Sequence, residues 1–293
     1  MKTNPLFKPG HTACAGCGQA IAAKLVVEAA GPNTIITNST GCLEVFTTAY
    51  PESAWAVPWI HSLFENSSAV ASGVEAALKY LGKKDGINVI AQGGDGGTAD
   101  IGIGCLSGLL ERNQNVLYVC YDNEAYMNTG VQRSGLTPYD ARTSTSPPGT
   151  ESWGNQHQKK NLLGICAAHM IPYAASASVG YPQDLMMKVK KALKIKGAKF
   201  LHVHVPCPLG WIYKSDLTIE VAKAAVNTGL YPIVEMEYNK VTRVRKIGKN
   251  RQPVEDYLKL QGRFKHLFTD AGKEELEKVR QIAQANIDYY GLE

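Results

Sequence analysis

The sequence contains no run of about 20 consecutive apolar residues, the length that a membrane-spanning helix needs. Its N-terminal stretch, MKTNPLFKPGHTACAGCG, also lacks the continuous apolar segment of a secretory signal peptide. We therefore expect a cytoplasmic protein that does not act in or on a membrane.

A strong excess of one charge is absent too. The 293-residue chain has a formal net charge of only +5, and much of the basic excess lies in two tracts, KVKKALKIKGAK and NKVTRVRKIGKNR. No nucleic-acid-reading motif and no aromatic platform accompanies these tracts. They are typical of solvated surfaces, and we expect no nucleic-acid partner.

The cysteine count, seven and therefore odd, argues against a disulfide framework in a chain without an export signal. Three cysteines lie within apolar segments and are predicted to be core residues: Cys105, Cys120 and Cys166. The other four lie in loop-like sequence flanked by glycine or proline: Cys14, Cys17, Cys42 and Cys207. Four such thiolates could bind a [4Fe–4S] cluster or a structural Zn²⁺, and their spacing alone favours neither.

What the sequence does contain is a regular alternation of two kinds of segment. Short apolar runs are predicted to be strands: NTIITN, INVIAQ, NVLYVCYD, PYAASAS and KFLHVHV. Segments with helical periodicity surround them: QAIAAKLVVEAAG, ENSSAVASGVEAALKYLG, TADIGIGCLSGLLERN, KKNLLGICAAHM and PQDLMMKVKKALKIKG. This alternation predicts an α/β fold with a doubly wound parallel sheet, in which helices cover both faces.

The alternation ends near Leu230 and divides the chain into two parts. Residues 1–230 are predicted to form the sheet domain. Residues 231–293 contain an extended segment, YPIVEMEYNKVTRVRKI, and a polar helix, AGKEELEKVRQIAQANIDYY. This C-terminal arm is too short for a good core of its own. We predict that it packs on a partner subunit; the alternative is a peripheral helix on the same domain.

Two polar residues follow consecutive predicted strands. Asp95 lies in GGDGG after INVIAQ, and Asn123 directly follows NVLYVCYD. One helix joins these strands, so we expect them to be parallel and to end at the same edge of the sheet. The side-chain oxygens of Asp95 and Asn123, with the carbonyl of Ala125, suit Mg²⁺ or Ca²⁺. Gly94 and Gly96 would let a diphosphate bound to that ion approach the backbone.

These turns resemble the motif by which thiamine-diphosphate enzymes hold their cofactor, GDGG followed one crossover later by DNEAYMNTG. Several blocks occur in the order of one family: GHTACAGCG, TGCLEVF, WIHSLFENSSAVASG, YDNEAYMNTGVQRS and CPLGW. They resemble the β subunit of pyruvate:ferredoxin oxidoreductase, from about residue 11 to residue 224. The resemblance implies a thiamine-diphosphate-binding fold, with Asp95 and Asn123 on the Mg²⁺ that anchors the diphosphate.

The resemblance also implies an activity and a set of partners. The expected reaction is the oxidative decarboxylation of pyruvate to acetyl-CoA and CO₂, with electrons passed through one [4Fe–4S] cluster on the four loop cysteines to ferredoxin. The expected partners are alpha, gamma and ferredoxin-like delta subunits, ferredoxin, the 2-oxoacid and coenzyme A. The alternatives are another 2-oxoacid, such as oxalate or 2-oxoglutarate, and a non-oxidative thiamine-diphosphate enzyme with structural zinc.

Four further residues are candidates for the site. Asn128 lies beyond the metal ligands, where its side chain could contact the reacting part of the cofactor. His61, in WIHSLFEN, either contacts the cofactor or substrate or is a structural histidine. Thr40 and Gly41 adjoin Cys42 and are candidate cofactor-binding residues.

A carboxylic acid is also needed beside the aminopyrimidine ring of the cofactor. Glu44 and Glu65 lie in the matching blocks, but a glutamate near the start of a helix is more often a partner of the helix dipole. The resemblance implies that the activating glutamate belongs to another subunit. We assign this role to neither residue.

Overall fold

A single mixed sheet forms the centre of the fold in a computed structural model that describes residues 4–49 and 51–293. Its strands are β1 (Thr34–Asn38), β2 (Trp59–His61), β3 (Asn88–Gly94), β4 (Leu117–Asp122), β5 (Tyr173–Ser178), β6 (Lys199–His204), β7 (Val234–Glu237) and β8 (Lys240–Val244). Their order across the sheet is β2-β1-β3-β4-β6-β5-β7-β8. The strands from β2 to β5 in this order are parallel, and β7 and β8 are antiparallel to their neighbours.

Helices cover both faces of this sheet. They are α1 (Gly18–Ala30), α2 (Cys42–Thr47), α3 (Ser67–Tyr80), α4 (Asp95–Ala99), α5 (Ile103–Glu111), α6 (Leu162–Ala167), α7 (Pro182–Lys194), α8 (Pro208–Trp211), α9 (Thr218–Asn227), α10 (Val254–Lys259) and α11 (Lys273–Tyr290). Apolar side chains of α1 and α7 fill the core on one face, and those of α3, α5 and α6 fill it on the other. The predicted doubly wound sheet is confirmed. Within the described residues, no helix has both the length and the apolar character to cross a membrane.

Local differences from the predicted elements have identifiable causes. The helix predicted after Asp95 is two helices, α4 and α5, because the backbone leaves helical geometry at Asp100 (φ −112°, ψ −91°); just beyond it, Gly102 lies so close to the Gly97 carbonyl that a Cβ would overlap it. The helix predicted from Lys159 begins only at Leu162, after Asn161 accepts a capping hydrogen bond from the Gly164 N–H at 2.9 Å. Strand β2 was not predicted, since it has only three residues and lies at the sheet edge.

The C-terminal segment, residues 231–293, is joined to the rest of the chain in two ways. Its extended part forms the hairpin of β7 and β8, and β7 pairs with β5. Its long helix α11 buries Leu276, Val279 and Ala283 in a cluster that also contains Val221 of α9. The segment therefore packs on its own chain. Its packing on a partner subunit stays a prediction.

Candidate cofactor site

The turns that follow β3 and β4 lie side by side at the carboxyl edge of the parallel strands. Gly94, the last residue of β3, pairs with Tyr121 of β4, which puts Asp95 and Asn123 on neighbouring turns. Both side chains are buried, with exposed fractions of 1% and 6%. The structure thus brings together the two residues that the crossover argument placed at one edge.

Three polar groups of these turns converge on one point. One polar atom of the Asn123 amide lies 3.0 Å from Asp95 Oδ1 and 2.9 Å from the Ala125 carbonyl oxygen. With the amide nitrogen in that position, it donates a hydrogen bond to each oxygen. With the amide oxygen there, it stands from each of the other two oxygens at the spacing of neighbouring ligands around an octahedral ion with bonds of about 2.0–2.1 Å. The donor set therefore fits Mg²⁺.

Ser134 holds the second oxygen of the Asp95 carboxylate. Its Oγ donates a hydrogen bond to Asp95 Oδ2 and accepts one from the Leu136 N–H at 3.1 Å. Burial and the nearby Asp122 carboxylate raise the pKa of Asp95 well above its ordinary value, and a bound cation would offset both effects. Sequence reasoning missed Ser134, whose one signal was its place at the end of the block YDNEAYMNTGVQRS.

The glycines near these turns have different surroundings. A Cβ on Gly96 would overlap the ring of Tyr126, whose hydroxyl donates to the Gly96 carbonyl and to Asp100 Oδ2, each at 3.2 Å. A Cβ on Gly94 or Gly41 would meet no atom within 4 Å. Gly96 is therefore required by the packing of Tyr126, while Gly94 and Gly41 border open space that a ligand can approach.

The other candidate residues lie around the same edge. Thr40 Oγ1 and His61 Nε2 are 2.7 Å apart, at the ends of β1 and β2. The His61 side chain is exposed, and its ring stacks against Trp59 with the ring centres 5.9 Å apart. Asn128 is exposed in the turn that follows Ala125. His61 and Asn128 are therefore both accessible to a ligand from outside the chain.

The four loop cysteines come from three separate parts of the fold. Cys14 and Cys17 form one turn, in which the Cys17 N–H donates to the Cys14 carbonyl at 3.1 Å. This turn is tied to the segment before Cys207 by a hydrogen bond from the Gly18 N–H to the Pro206 carbonyl, also 3.1 Å. The third part contains Cys42, which is the first residue of α2 and not a loop residue.

These cysteines influence one another electrostatically. Burial raises the pKa of Cys17 to about 11, and the nearby thiols of Cys207 and Cys14 add to the shift. Burial raises the pKa of Cys42 to about 12, with further contributions from Cys207, Cys17 and the Asp95 carboxylate. Four thiols therefore share one neighbourhood, near Asp95.

The geometry of these thiols bears on the choice between zinc and an iron–sulfur cluster. In residues 4–49 and 51–293, no group of three or more His, Cys, Asp or Glu side chains forms a site for a metal ion. A four-iron cluster is larger than one ion, so its thiolates stand farther apart than the ligands of a single Zn²⁺. The spacing of the four sulfur atoms therefore distinguishes a bound cluster from a single zinc ion.

The three cysteines predicted to be core residues differ among themselves. Cys120 and Cys166 are fully buried, as predicted, and burial raises the pKa of each thiol well above its ordinary value. Cys105 is only partly buried, so its assignment to the core is wrong. The cause is helix geometry, since Leu106 and Leu109 form the buried face of α5 and Cys105 lies beside that face.

Sequence reasoning missed a group of buried charges around Asp122 and Glu124, the residues on either side of Asn123. Lys159 Nζ lies 2.6 Å from Asp122 Oδ2 and 2.6 Å from Glu124 Oε1. His202 Nε2 lies 2.8 Å from Asp122 Oδ2, and Arg263 pairs with Glu124 Oε2. Burial alone would lower the pKa of Lys159, but the two carboxylates raise it to about 12. These partners come from distant parts of the chain, and no short motif connects them.

Comparisons with known proteins agree with this geometry. Residues 36–203, which include Asp95 and Asn123, match the family model of the C-terminal thiamine pyrophosphate-binding domain of thiamine pyrophosphate enzymes. The pyruvate synthase subunit PorB of Methanosarcina barkeri is 57% identical over 285 residues, covering 97% of this chain and 96% of its own length. The ketoisovalerate oxidoreductase subunit VorB of Pyrococcus abyssi is 46% identical, covering 95% and 93%.

A solved structure shows the same fold. It is the 2-oxoglutarate:ferredoxin oxidoreductase from Magnetococcus marinus with 2-oxoglutarate, coenzyme A and succinyl-CoA bound. The match has a TM-score of 0.59 at 24% sequence identity, and it covers 71% of this chain and 69% of that chain.

Proposed function

The chain belongs to the family of pyruvate synthase PorB subunits, and we propose that it is the β subunit of a ferredoxin-dependent 2-oxoacid oxidoreductase. The enzyme converts pyruvate and coenzyme A to acetyl-CoA and CO₂, and its electrons leave to ferredoxin. It works only as a complex with alpha, gamma and ferredoxin-like delta subunits. The observation that carries the proposal is the convergence of Asp95, Asn123 and the Ala125 carbonyl at one edge of the sheet.

In this proposal Asp95 and the turn of residues 123–125, which we call the metal turn, anchor the diphosphate end of thiamine diphosphate. Asp95, Asn123 and the carbonyl of Ala125 hold Mg²⁺, which neutralises the diphosphate. When bound, thiamine diphosphate supplies the electron sink that a 2-oxoacid needs in order to lose CO₂. Open space beside Gly94 and Gly41 supports an approach of the cofactor to the backbone there.

Three residues at the edge of the site complete the cofactor-binding assignment. Gly96 is the first of them, and the packing of Tyr126 requires a glycine there. Thr40 and Gly41 are assigned to contact with the cofactor because they lie at the same edge of the sheet. We assign His61 and Asn128 as catalytic residues: Asn128 contacts the reacting part of the cofactor, and His61 contacts the cofactor or the substrate. Their exposure in this chain supports a site that a second subunit completes.

The four cysteines Cys14, Cys17, Cys42 and Cys207 are proposed to bind one [4Fe–4S] cluster. Their shared neighbourhood, and the effect of the Asp95 carboxylate on Cys42, support a cluster close to the cofactor. When bound, such a cluster accepts electrons one at a time. The cysteines of this chain fix its distance from the diphosphate anchor.

A partner subunit is proposed to cover the open side of the site and to supply the activating carboxylic acid. Three large apolar side chains beside His61 are exposed, namely Ile60, Leu63 and Phe64. Leu63 has an exposed fraction of 62%, high for a leucine next to a reaction site that must exclude water. A second chain packed on this segment would bury these side chains and close the site.

The substrate has a second candidate. The relative from Pyrococcus abyssi is a ketoisovalerate oxidoreductase subunit, and it is 46% identical over nearly the whole chain. A 2-oxoacid with a branched side chain is therefore the alternative to pyruvate. Residues that bind the substrate's side chain would decide between them, and several of these belong to the partner subunit in our proposal.

The test is an anaerobic assay of the complex that contains this chain. Pyruvate, ketoisovalerate, 2-oxoglutarate and oxalate are each supplied with coenzyme A and an artificial electron acceptor. We expect the highest kcat/KM with pyruvate. A higher value with ketoisovalerate would select the alternative substrate, and loss of CO₂ without reduction of the acceptor would overturn the proposed function.

A further inference from the structure

The C-terminal segment contributes one buried side chain to the metal turn. We propose that Arg263 is a positioning residue for this turn. It holds Glu124 in a left-handed backbone conformation and braces Asn123, so that Asn123 and Ala125 present their oxygens to Mg²⁺. The inference rests on the proposed function, which gives the turn its metal.

Glu124 is the residue whose conformation must be held. It lies between Asn123 and Ala125 with φ of +67°, a conformation that residues other than glycine adopt only at a cost. Its N–H donates to Asp122 Oδ1 at 3.0 Å, and its carbonyl accepts from Thr137 Oγ1 at 2.8 Å. A return of Glu124 to an ordinary conformation would redirect both neighbouring ligands.

Arg263 reaches this turn in two directions. Its side chain is 3% exposed, and its Nη2 donates to Glu124 Oε2. Its guanidinium carbon lies 3.7 Å from the centre of the Trp211 ring. The indole Nε1 of Trp211 donates to the Asn123 carbonyl at 2.8 Å. The Arg263 guanidinium therefore contacts Glu124 directly, and it contacts Asn123 through the Trp211 side chain.

Arg263 is itself fixed by its surroundings. Its Nε donates to Gln261 Oε1 at 2.9 Å, and its carbonyl accepts from the Arg142 N–H at 3.1 Å. A planar guanidinium can bind a carboxylate and stack on an indole at the same time, whereas a lysine ammonium cannot do both. Arg263→Lys therefore keeps the charge near Glu124 and removes the brace.

The test starts from the complex stripped of thiamine diphosphate and Mg²⁺, adds thiamine diphosphate to saturation, and titrates with Mg²⁺ by isothermal titration calorimetry. Arg263→Lys should weaken Mg²⁺ binding by about 10- to 100-fold, the usual cost of losing a residue that orients a metal ligand. Hydrogen exchange of residues 122–130 should become faster in the cofactor-free state. The matched control is Arg280→Lys, an arginine of the same segment that pairs with Glu255 and Glu277 at the surface.

A second background separates positioning from general stability. Glycine adopts a positive φ at little cost, so in a Glu124→Gly background Arg263→Lys should cause a much smaller further loss of affinity. A loss of the same size in that background, or an equal loss in the Arg280→Lys control, would overturn the proposal. So would wild-type affinity in folded Arg263→Lys.

Two further variants keep the test decisive. If Arg263→Lys does not fold, Trp211→Phe keeps an aromatic ring under the guanidinium but removes the donor to Asn123, and it should also weaken Mg²⁺ binding. Unchanged binding in Trp211→Phe would then count against the brace. Asp95→Asn is measured in the same titration. If Asp95→Asn also binds Mg²⁺ normally, the proposed metal site is wrong. If Asp95→Asn loses Mg²⁺ binding while Arg263→Lys and Trp211→Phe keep it, only the proposed role of Arg263 is wrong.

Discussion

Replacing Asp95 by asparagine should separate cofactor binding from folding. The substitution keeps the shape of the side chain and its contact with Ser134. It removes the negative charge that Asp95 contributes beside the Asn123 amide and the Ala125 carbonyl. Loss of one partner of a buried, hydrogen-bonded charge pair costs about 2–5 kcal/mol. At about 1.4 kcal/mol per factor of ten, the affinity for Mg²⁺ and thiamine diphosphate should fall roughly 30- to 4,000-fold.

The cofactor-free protein should respond in the opposite way. Burial and the charge of Asp122 already disfavour the Asp95 carboxylate in that state, so Asp95→Asn should leave its thermal stability unchanged or raise it. The assay combines a cofactor titration with the Tm of the cofactor-free complex. Asp85→Asn, in the exposed loop before β3, is the control. Normal cofactor content in Asp95→Asn, or a large fall in the Tm of its cofactor-free form, would refute this reasoning.

Further predictions concern the cysteines, the isolated chain and pH. In the anaerobically purified complex, Cys42→Ser should lower bound iron and sulfide by about four atoms of each per copy of this chain, whereas Cys166→Ala, in the core, should leave them unchanged; equal iron contents in the two variants would contradict the assignment. The chain purified alone should not reduce an electron acceptor when pyruvate is supplied. Turnover comparable to that of the complex would mean that this chain itself carries the activating carboxylic acid, with Glu65 the first residue to examine. Burial and Glu275 raise the pKa of Asp140 from 3.8 to about 7, so the folded state binds this proton more tightly than the unfolded chain does, and its stability falls as pH rises through that window. Asp140→Asn should therefore raise the Tm more at pH 8 than at pH 5, and an equal effect at both values would contradict the shift.

The positions of Asp95 and Asn123 could be predicted because they depend on one rule. Two strands joined by a single helix are parallel and end at the same edge, and β3 and β4 are in addition direct neighbours. The cysteines were harder, since β1 and β6, which precede Cys42 and Cys207, are separated by two other strands. Their approach depends on the turn at Cys14 and Cys17, which is tied to Pro206 by a backbone hydrogen bond that no pattern predicts.

What the sequence did not reveal lies in contacts between distant residues. Ser134 reaches Asp95 across 39 residues, and Arg263 reaches Glu124 across 139. Ser134 lies in a loop and Arg263 in a short 3₁₀ helix, and each contacts a residue just past a strand end, where hydrophobic periodicity carries no information. The break between α4 and α5 was missed for a different reason, since Gly102 meets the carbonyl of Gly97, five residues earlier, and helix periodicity does not encode that local contact.

The central claim is that this chain serves an oxidative thiamine-diphosphate enzyme, in which decarboxylation is coupled to electron transfer. The most direct test counts electrons delivered to a one-electron acceptor against CO₂ released, in the anaerobic complex supplied with pyruvate and coenzyme A. The conversion of pyruvate to acetyl-CoA and CO₂ releases two electrons, so our account predicts two reduced acceptors for each CO₂. Release of CO₂ with no reduced acceptor would contradict it and would assign the chain to a non-oxidative enzyme.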